Sequence, residues 1–379
     1  MNSQRFWWIL ITACFGIVAW PTQAHKPSDS YLSVNIEKAR LSGEWDIAVR
    51  DLESAIGLDA NHDGEVTWGE LSGRRAEVEA YALSRLQIKS DAAVFPLRIL
   101  ELLIDTYTDG SYAVLNFEGQ NLCDSKILEI DYGAFFDLDP QHRGLFRLEC
   151  QGQTQTGIFS PDQRSQRFDL ASPNRGKELL GFVGQGIWHI WVGFDHILFL
   201  LALLLPAVLR RSENGWEVVD RFAPALTNVL KIVTAFTVAH SLTLSLGTLG
   251  VVKLNSRWVE SVIAASVVFA ALNNLRPFSK GNAWMIAFLF GLIHGFGFAN
   301  VLADLGLSRG VLLLSLIGFN LGVEVGQLAI VALFLPLAFG LRRSWAYNYL
   351  TLKLGSAAIA MVATIWVVER MFEVTLLRL

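Results

Sequence analysis

Gly186-Ile-Trp-His-Ile-Trp-Val-Gly-Phe-Asp-His-Ile-Leu-Phe-Leu-Leu-Ala-Leu-Leu-Leu205 is the stretch that decides the class of this chain. It closes an apolar segment spanning about 180–208, long enough to cross a hydrocarbon core of about 30 Å as a helix. Five more such segments fall near 228–250, 258–275, 284–303, 311–338 and 348–368. The mean hydropathy of +0.39 is above what soluble chains usually reach. The apolar excess is uneven. Up to about Pro173 charges recur at the density of a soluble protein, whereas beyond Leu179 the apolar residues gather into runs, and Ala171-Ser-Pro-Asn-Arg-Gly176 reads as the joint. The expected organisation is a signal peptide over 1–24, an extracytoplasmic domain over 25–172, a linker over 173–179, and a polytopic α-helical bundle of about six membrane helices over 180–370.

The first residues follow the secretory plan: Arg5 as positive region, Phe6 to Trp20 as apolar core, and Thr22-Gln-Ala24 as a small-x-small cleavage site. An uncleaved anchor is the alternative. Cleavage after Ala24 leaves His25 as the mature terminus, where α-amine and imidazole together form a chelate for nickel or copper(II). The signal and the loop charges agree on topology. Arg210, Arg211 and Arg221, then Arg276 and Lys280, then Arg342 and Arg343 fall on one side. The opposite side holds Lys253, Arg257 and Arg309, with Arg370 and Arg378 in the tail. Positive loops stay in the cytoplasm, so the N-terminal domain is expected outside a bacterial-type inner membrane. Cys14 leaves with the signal. Cys123 and Cys150 remain, in a compartment that permits a disulfide between them.

Within the N-terminal domain, Asp59-Ala-Asn-His-Asp-Gly-Glu-Val-Thr-Trp-Gly-Glu70 matches the twelve-residue EF-hand calcium loop. Asp59, Asn61 and Asp63 supply side-chain oxygens, Gly64 permits the sharp turn, and Glu65 offers its carbonyl. Thr67 sits at position nine and Glu70 is the bidentate ligand. Helices are expected before it (Arg50 to Leu58) and after it (Trp68 to Leu86). A single loop suits a structural calcium better than a sensor. From Ala93 to Phe168 the pattern is period-two and aromatic, as in Tyr112-Ala-Val-Leu-Asn-Phe117 and Ile127-Leu-Glu-Ile-Asp-Tyr132, which predicts a small α+β domain of β-sandwich type. Asp137-Leu-Asp-Pro-Gln-His142 reads as a turn between two strands.

Ionisable groups within a membrane are costly and mark sites or pathways. The first span carries His189, Asp195 and His196, and seven residues place the two histidines on one helix face. His240 and Ser241 lie in the second span. Glu260 opens the third, His294 stands among glycines in the fourth, and Asn320, Glu324 and Gln327 share a face of the fifth. Four of the seven histidines are thus intramembrane. With Asp195 and Glu324 they form a nitrogen-and-oxygen set without thiolate, suited to nickel, cobalt or zinc. The plain alternative is a set of interhelical hydrogen bonds.

The motif His189-x5-Asp195-His196, within a bundle over about 178–370, resembles the HupE/UreJ family of membrane proteins, described as nickel/cobalt permeases. The EF-hand-bearing domain resembles that of the longer, two-domain branch. Short members carry a second motif, F-H-G-x-[AV]-H-G-x-E. Here Phe290-Gly-Leu-Ile-His-Gly-Phe-Gly keeps only His294, and no glutamate follows within the motif. The resemblance implies a secondary transporter with a His/Asp/Glu site, in contact with the lipid bilayer and its metal ion. The same cluster is compatible with an intramembrane zinc-dependent hydrolase, Glu324 acting as base or Ser241 as nucleophile, and a third class is a calcium-stabilised receptor. Without a phosphate-binding G-x-x-x-x-G-K-[ST] in the chain, coupling would come from ion gradients. A net charge of −4 without blocks of like charge gives nucleic-acid binding no support.

Overall fold

The computed structural model describes residues 29–37, 40–90, 93–107, 110–119, 126–171, 174–212, 215–276, 282–299 and 309–372, with 374 and 376. The expected signal peptide, His25 and Cys123 lie outside them.

Alternating sequence becomes alternating burial in the N-terminal domain. In the strand Ile127–Tyr132, Leu128, Ile130 and Tyr132 point inward, while Glu129 and Asp131 do not. Among the described residues of this domain, ten strands form two sheets. The larger holds β1 (Asp29–Glu37), β2 (Arg40–Ala48), β5 (Leu97–Tyr107), β6 (Gly110–Gly119), β8 (Arg143–Cys150) and β9 (Gln153–Phe159), in the order β5-β6-β2-β1-β8-β9. The smaller holds β3 (Leu86–Ser90), β4 (Ala93–Val94), β7 (Ile127–Tyr132) and β10 (Ser165–Asp169), in the order β10-β7-β3-β4. One apolar core joins their inner faces, from Trp45 and Phe117 to Ile130 and Phe168. β1 and β8 pair in parallel, Ser30 opposite Gly144, across more than a hundred residues. Between β2 and β3 stand three short helices: α1 (Val49–Ile56), α2 (Trp68–Gly73) and α3 (Arg75–Arg85). The long helix expected after the loop is therefore broken between α2 and α3. Asp137 to His142 does form a turn, and it delivers His142 into the core.

The C-terminal part is helical and apolar. α4 (Arg175–Val192) and α5 (Phe194–Leu204) meet at Gly193 with a bend of 72°. They are followed by α6 (Phe222–Thr248), α7 (Ser256–Leu275), α8 (Ala283–His294), α9 (Arg309–Leu341) and α10 (Gly355–Phe372), with a π-helical turn (Tyr347–Leu354) leading into α10. Among the described residues, four helices are long and apolar enough to cross a membrane, or five if the bent pair is one span. The remaining apolar segment is represented by α8 and the 3-10 turn Gly295–Gly297, which is shorter. Large apolar side chains such as Leu289, Leu333 and Met361 are exposed on the outside of the bundle, as lipid contact requires.

Glycine sets the closest helix packing. Gly318, Gly322 and Gly326 form one ridge of α9, against which α4 runs in parallel. A Cβ on Gly322 would stand 2.1 Å from the Val183 carbonyl oxygen, and one on Gly186 2.0 Å from that of Phe319. Lipid is as apolar as leucine, so close backbone approach rather than hydrophobic burial holds such pairs together. Gly291 and Gly295 bring α8 and its turn equally close to the Phe236 to Leu244 stretch of α6. The N-terminal domain rests on α4: Glu178 accepts from the Thr156 backbone N–H, and the Arg143 guanidinium lies 4.9 Å from the Trp188 ring centre.

Candidate metal centre

The bend at Gly193 is where chemistry collects. Gly193 terminates α4, its N–H bonded to the His189 carbonyl, and also caps the start of α5. His189 thus sits in the last turn of one half-helix, while Asp195 and His196 sit in the first turn of the other. α8 stops at His294, where the 3-10 turn begins. His240 faces them from the middle of α6, fully buried. The His196 ring centre is 4.6 Å from that of His189, 5.3 Å from His294 and 6.5 Å from His240. Four imidazoles from three separated parts of the chain form one cluster. Phe199, Phe236, Phe298 and Phe319 pack around it as aromatic walls.

Hydrogen bonding fixes which nitrogens carry protons. Asp195 Oδ1 is 2.8 Å from His196 Nδ1 and also accepts the His196 backbone N–H. A carboxylate only accepts, so Nδ1 is the donor, and in the neutral ring the lone pair is on Nε2. The Ser266 hydroxyl donates to the Ile263 carbonyl at 2.6 Å, which uses its only proton. The 3.0 Å contact of Ser266 Oγ with His294 Nε2 must therefore be donated by the histidine, leaving Nδ1 bare. Both bare nitrogens, with His189 Nε2 and both nitrogens of His240, are buried and have no hydrogen-bond partner. Five orphaned imidazole nitrogens in one place are a large departure from the near-complete satisfaction of buried polar atoms.

The remaining expected residues are dispersed. Glu324 accepts from the Thr234 hydroxyl at 3.2 Å, nearly two helical turns before His240 on α6. Gln327 accepts from Thr237, Asn320 donates to the Leu316 carbonyl of its own helix, and Glu260 accepts from Ser256. Ser241 donates to the Thr237 carbonyl one turn back, which turns its hydroxyl to its own backbone. Among the described residues, no three of His, Cys, Asp and Glu stand close enough to hold one ion as they are arranged. One group enters that the sequence did not single out. Arg370, from the far end of α10, places its guanidinium 3.3 Å from Asp195 Oδ2.

In the N-terminal domain, the loop from Asp59 to Glu70 is wound around its own side chains. Asp59 accepts from the backbone of His62 and Gly64, Asn61 from that of Asp63, and Asp63 from that of Glu65. His62 and Gly64 adopt positive φ, 59° and 87°. Glu70 accepts from Ala60 and Thr67, and Thr67 caps α2 in return. These bonds hold the Glu70 carboxyl below the usual carboxylate range, led by that from the Thr67 backbone. Cys150 is buried in the core, and desolvation raises its thiol. Ser30, Tyr132 and His142 form a buried polar knot: Tyr132 Oη lies 2.6 Å from Ser30 Oγ and 2.8 Å from His142 Nε2. Burial lowers His142 to about 3, chiefly by desolvation.

The family profile described as HupE / UreJ protein matches residues 164–370, more than half of the chain and the whole of the histidine cluster. The chain belongs to the HupE / UreJ family. Comparison with curated proteins returns no match. The matched region of this HupE / UreJ protein starts just before the last strand of the N-terminal domain and ends at Arg370. With its apolar helices and this membership, the chain is a multi-pass membrane protein.

Proposed function

We propose that this protein is a secondary transporter that carries a divalent transition metal ion, nickel or cobalt, through the histidine cluster at the α4–α5 break. The observation that carries the reading is the pair of locked tautomers. Asp195 and Ser266 each accept a hydrogen bond from an imidazole N–H, and the other ring nitrogen, His196 Nε2 or His294 Nδ1, is left without a partner in a buried cluster of four histidines. Neutral imidazole nitrogens without thiolate suit nickel and cobalt. Broken helices near mid-membrane, with polar groups at the half-helix ends, are how secondary transporters build ion sites. The ion is cargo, so a cluster that is loose before it arrives, with ring centres 4.6 to 6.5 Å apart, suits binding and release better than a closed chelate. His189 and His240 complete the shell when their rings turn toward it. The reading extends to a bacterial inner membrane with the N-terminal domain outside, and to a calcium ion in the Asp59 to Glu70 loop. Asp59, Asn61, Asp63, Glu65, Thr67 and Glu70 would hold that ion.

The test is uptake of radiolabelled nickel by proteoliposomes containing the full-length protein. Wild type should accumulate nickel down an imposed gradient. His196→Ala should lose saturable uptake by about tenfold or more while inserting and purifying as wild type does. Uptake no faster than in protein-free vesicles would end the transport reading.

A further inference from the structure

We infer that Arg370 is a resident counter-cation of the metal site, holding the place of positive charge beside Asp195 until the cargo ion takes over. The inference rests on the transport reading and names a specificity-determining residue of that site. Asp195 touches the histidine cluster through His196. Its two oxygens are divided between two partners: Oδ1 fixes His196, and Oδ2 faces the Arg370 guanidinium at 3.3 Å. Arg370 is itself tied down. It donates to the Glu260 carbonyl at 3.0 Å, and Arg257 donates in return to the carbonyl of Met371. These two arginines clasp the last turn of α10 to the first turn of α7. Both side chains of the pair are partly open, 26% for Arg370 and 18% for Asp195, so the contact closes the cluster on that side without sealing it.

A carboxylate left alone at such depth would be costly, and a guanidinium is the residue type least able to relieve this by losing its proton. With Arg370 in place the charge of Asp195 is balanced. When a divalent ion docks on His196 Nε2, it and the guanidinium compete for one negative charge, and each weakens the hold of the other. Metal binding therefore loosens the Arg370 clasp, and with it the end of α10. An arginine with only a structural role would show no such antagonism.

The experiment is nickel titration of the full-length protein in lipid nanodiscs, using nickel(II) alone as the probe. Arg370→Gln should bind nickel at least tenfold more tightly than wild type, equivalent to about 1.4 kcal/mol, whereas Arg370→Lys, which keeps the charge, should stay within about threefold. The gain in Arg370→Gln should vanish when Asp195→Asn is added. Equal or weaker binding by Arg370→Gln overturns the inference and leaves the transport reading standing. No saturable binding by wild type and Arg370→Gln alike overturns both. A second measurement needs no variant: hydrogen exchange of wild-type residues 366–372 should speed up when nickel is added. Unchanged or slower exchange there would count against the inference even if Arg370→Gln fails to fold.

Discussion

Gly322→Ala puts the packing argument at risk. The added Cβ would stand 2.1 Å from the Val183 carbonyl oxygen and 2.9 Å from the Gly186 Cα. Ordinary contact needs about 3.4 Å, so α4 and α9 must part by roughly 1.3 Å, and no flexible side chain is there to move instead. Overpacking of this severity costs about 3 kcal/mol, offset by up to about 1 kcal/mol from the better helix propensity of alanine, a net loss of about 2 kcal/mol. Gly340 on the same helix supplies the control, because a Cβ there meets nothing within 4 Å. Gly340→Ala should be neutral or slightly stabilising. Gly326→Ala, whose Cβ would lie 3.3 Å from the Ile187 Cα, should fall between the two. The assay is thermal unfolding of the three full-length variants in one detergent, followed by tryptophan fluorescence and by nickel binding. The expected order of stability is Gly340→Ala, then Gly326→Ala, then Gly322→Ala. Nickel affinity should fall with the last, since α4 carries His189. A Gly322→Ala protein that melts with Gly340→Ala would refute the claim that backbone contact holds these helices.

Two further predictions concern the N-terminal domain. His142 is buried neutral, with its folded value near 3 against an ordinary 6.5. The unfolded chain therefore binds the proton more readily, and stability falls as pH drops from about 6.5 toward 3, by about 2 kcal/mol at pH 5. His142→Gln should show a shallower loss of melting temperature between pH 7 and pH 5 than wild type, and parallel curves would contradict this. Glu70→Gln keeps an acceptor for the Thr67 cap but removes the bidentate carboxylate. Calcium should raise the melting temperature of wild type and leave that of Glu70→Gln unchanged, whereas equal wild-type melting in calcium and in chelator would remove the calcium site.

What the sequence determined by itself is what local pattern controls. Long apolar runs admit one environment, so the membrane class and the position of α6, α7 and α9 followed from hydropathy alone. Period-two patterning did the same for β7 and for the second halves of β6 and β8. The motif His189-x5-Asp195-His196 was legible because its members lie within two helical turns, whatever else the chain does. Tertiary structure decided the remainder, since distance along the chain says nothing of distance across a bundle. Of the face expected from Asn320, Glu324 and Gln327, the last two bond to Thr234 and Thr237 of α6. Yet which part of α6 that face meets depends on the glycine ridge that sets α9 against α4, and Glu324 meets Thr234 rather than the histidines. Along the sequence Ser266 is one hydroxyl in an apolar run and Arg370 a charge near its end. They acquire roles only because α7 and α10 fold back to place them against His294 and Asp195. The 72° break at Gly193 was equally hidden: one glycine in an apolar run permits a bend, and only the packing of both half-helices turns that freedom into a site.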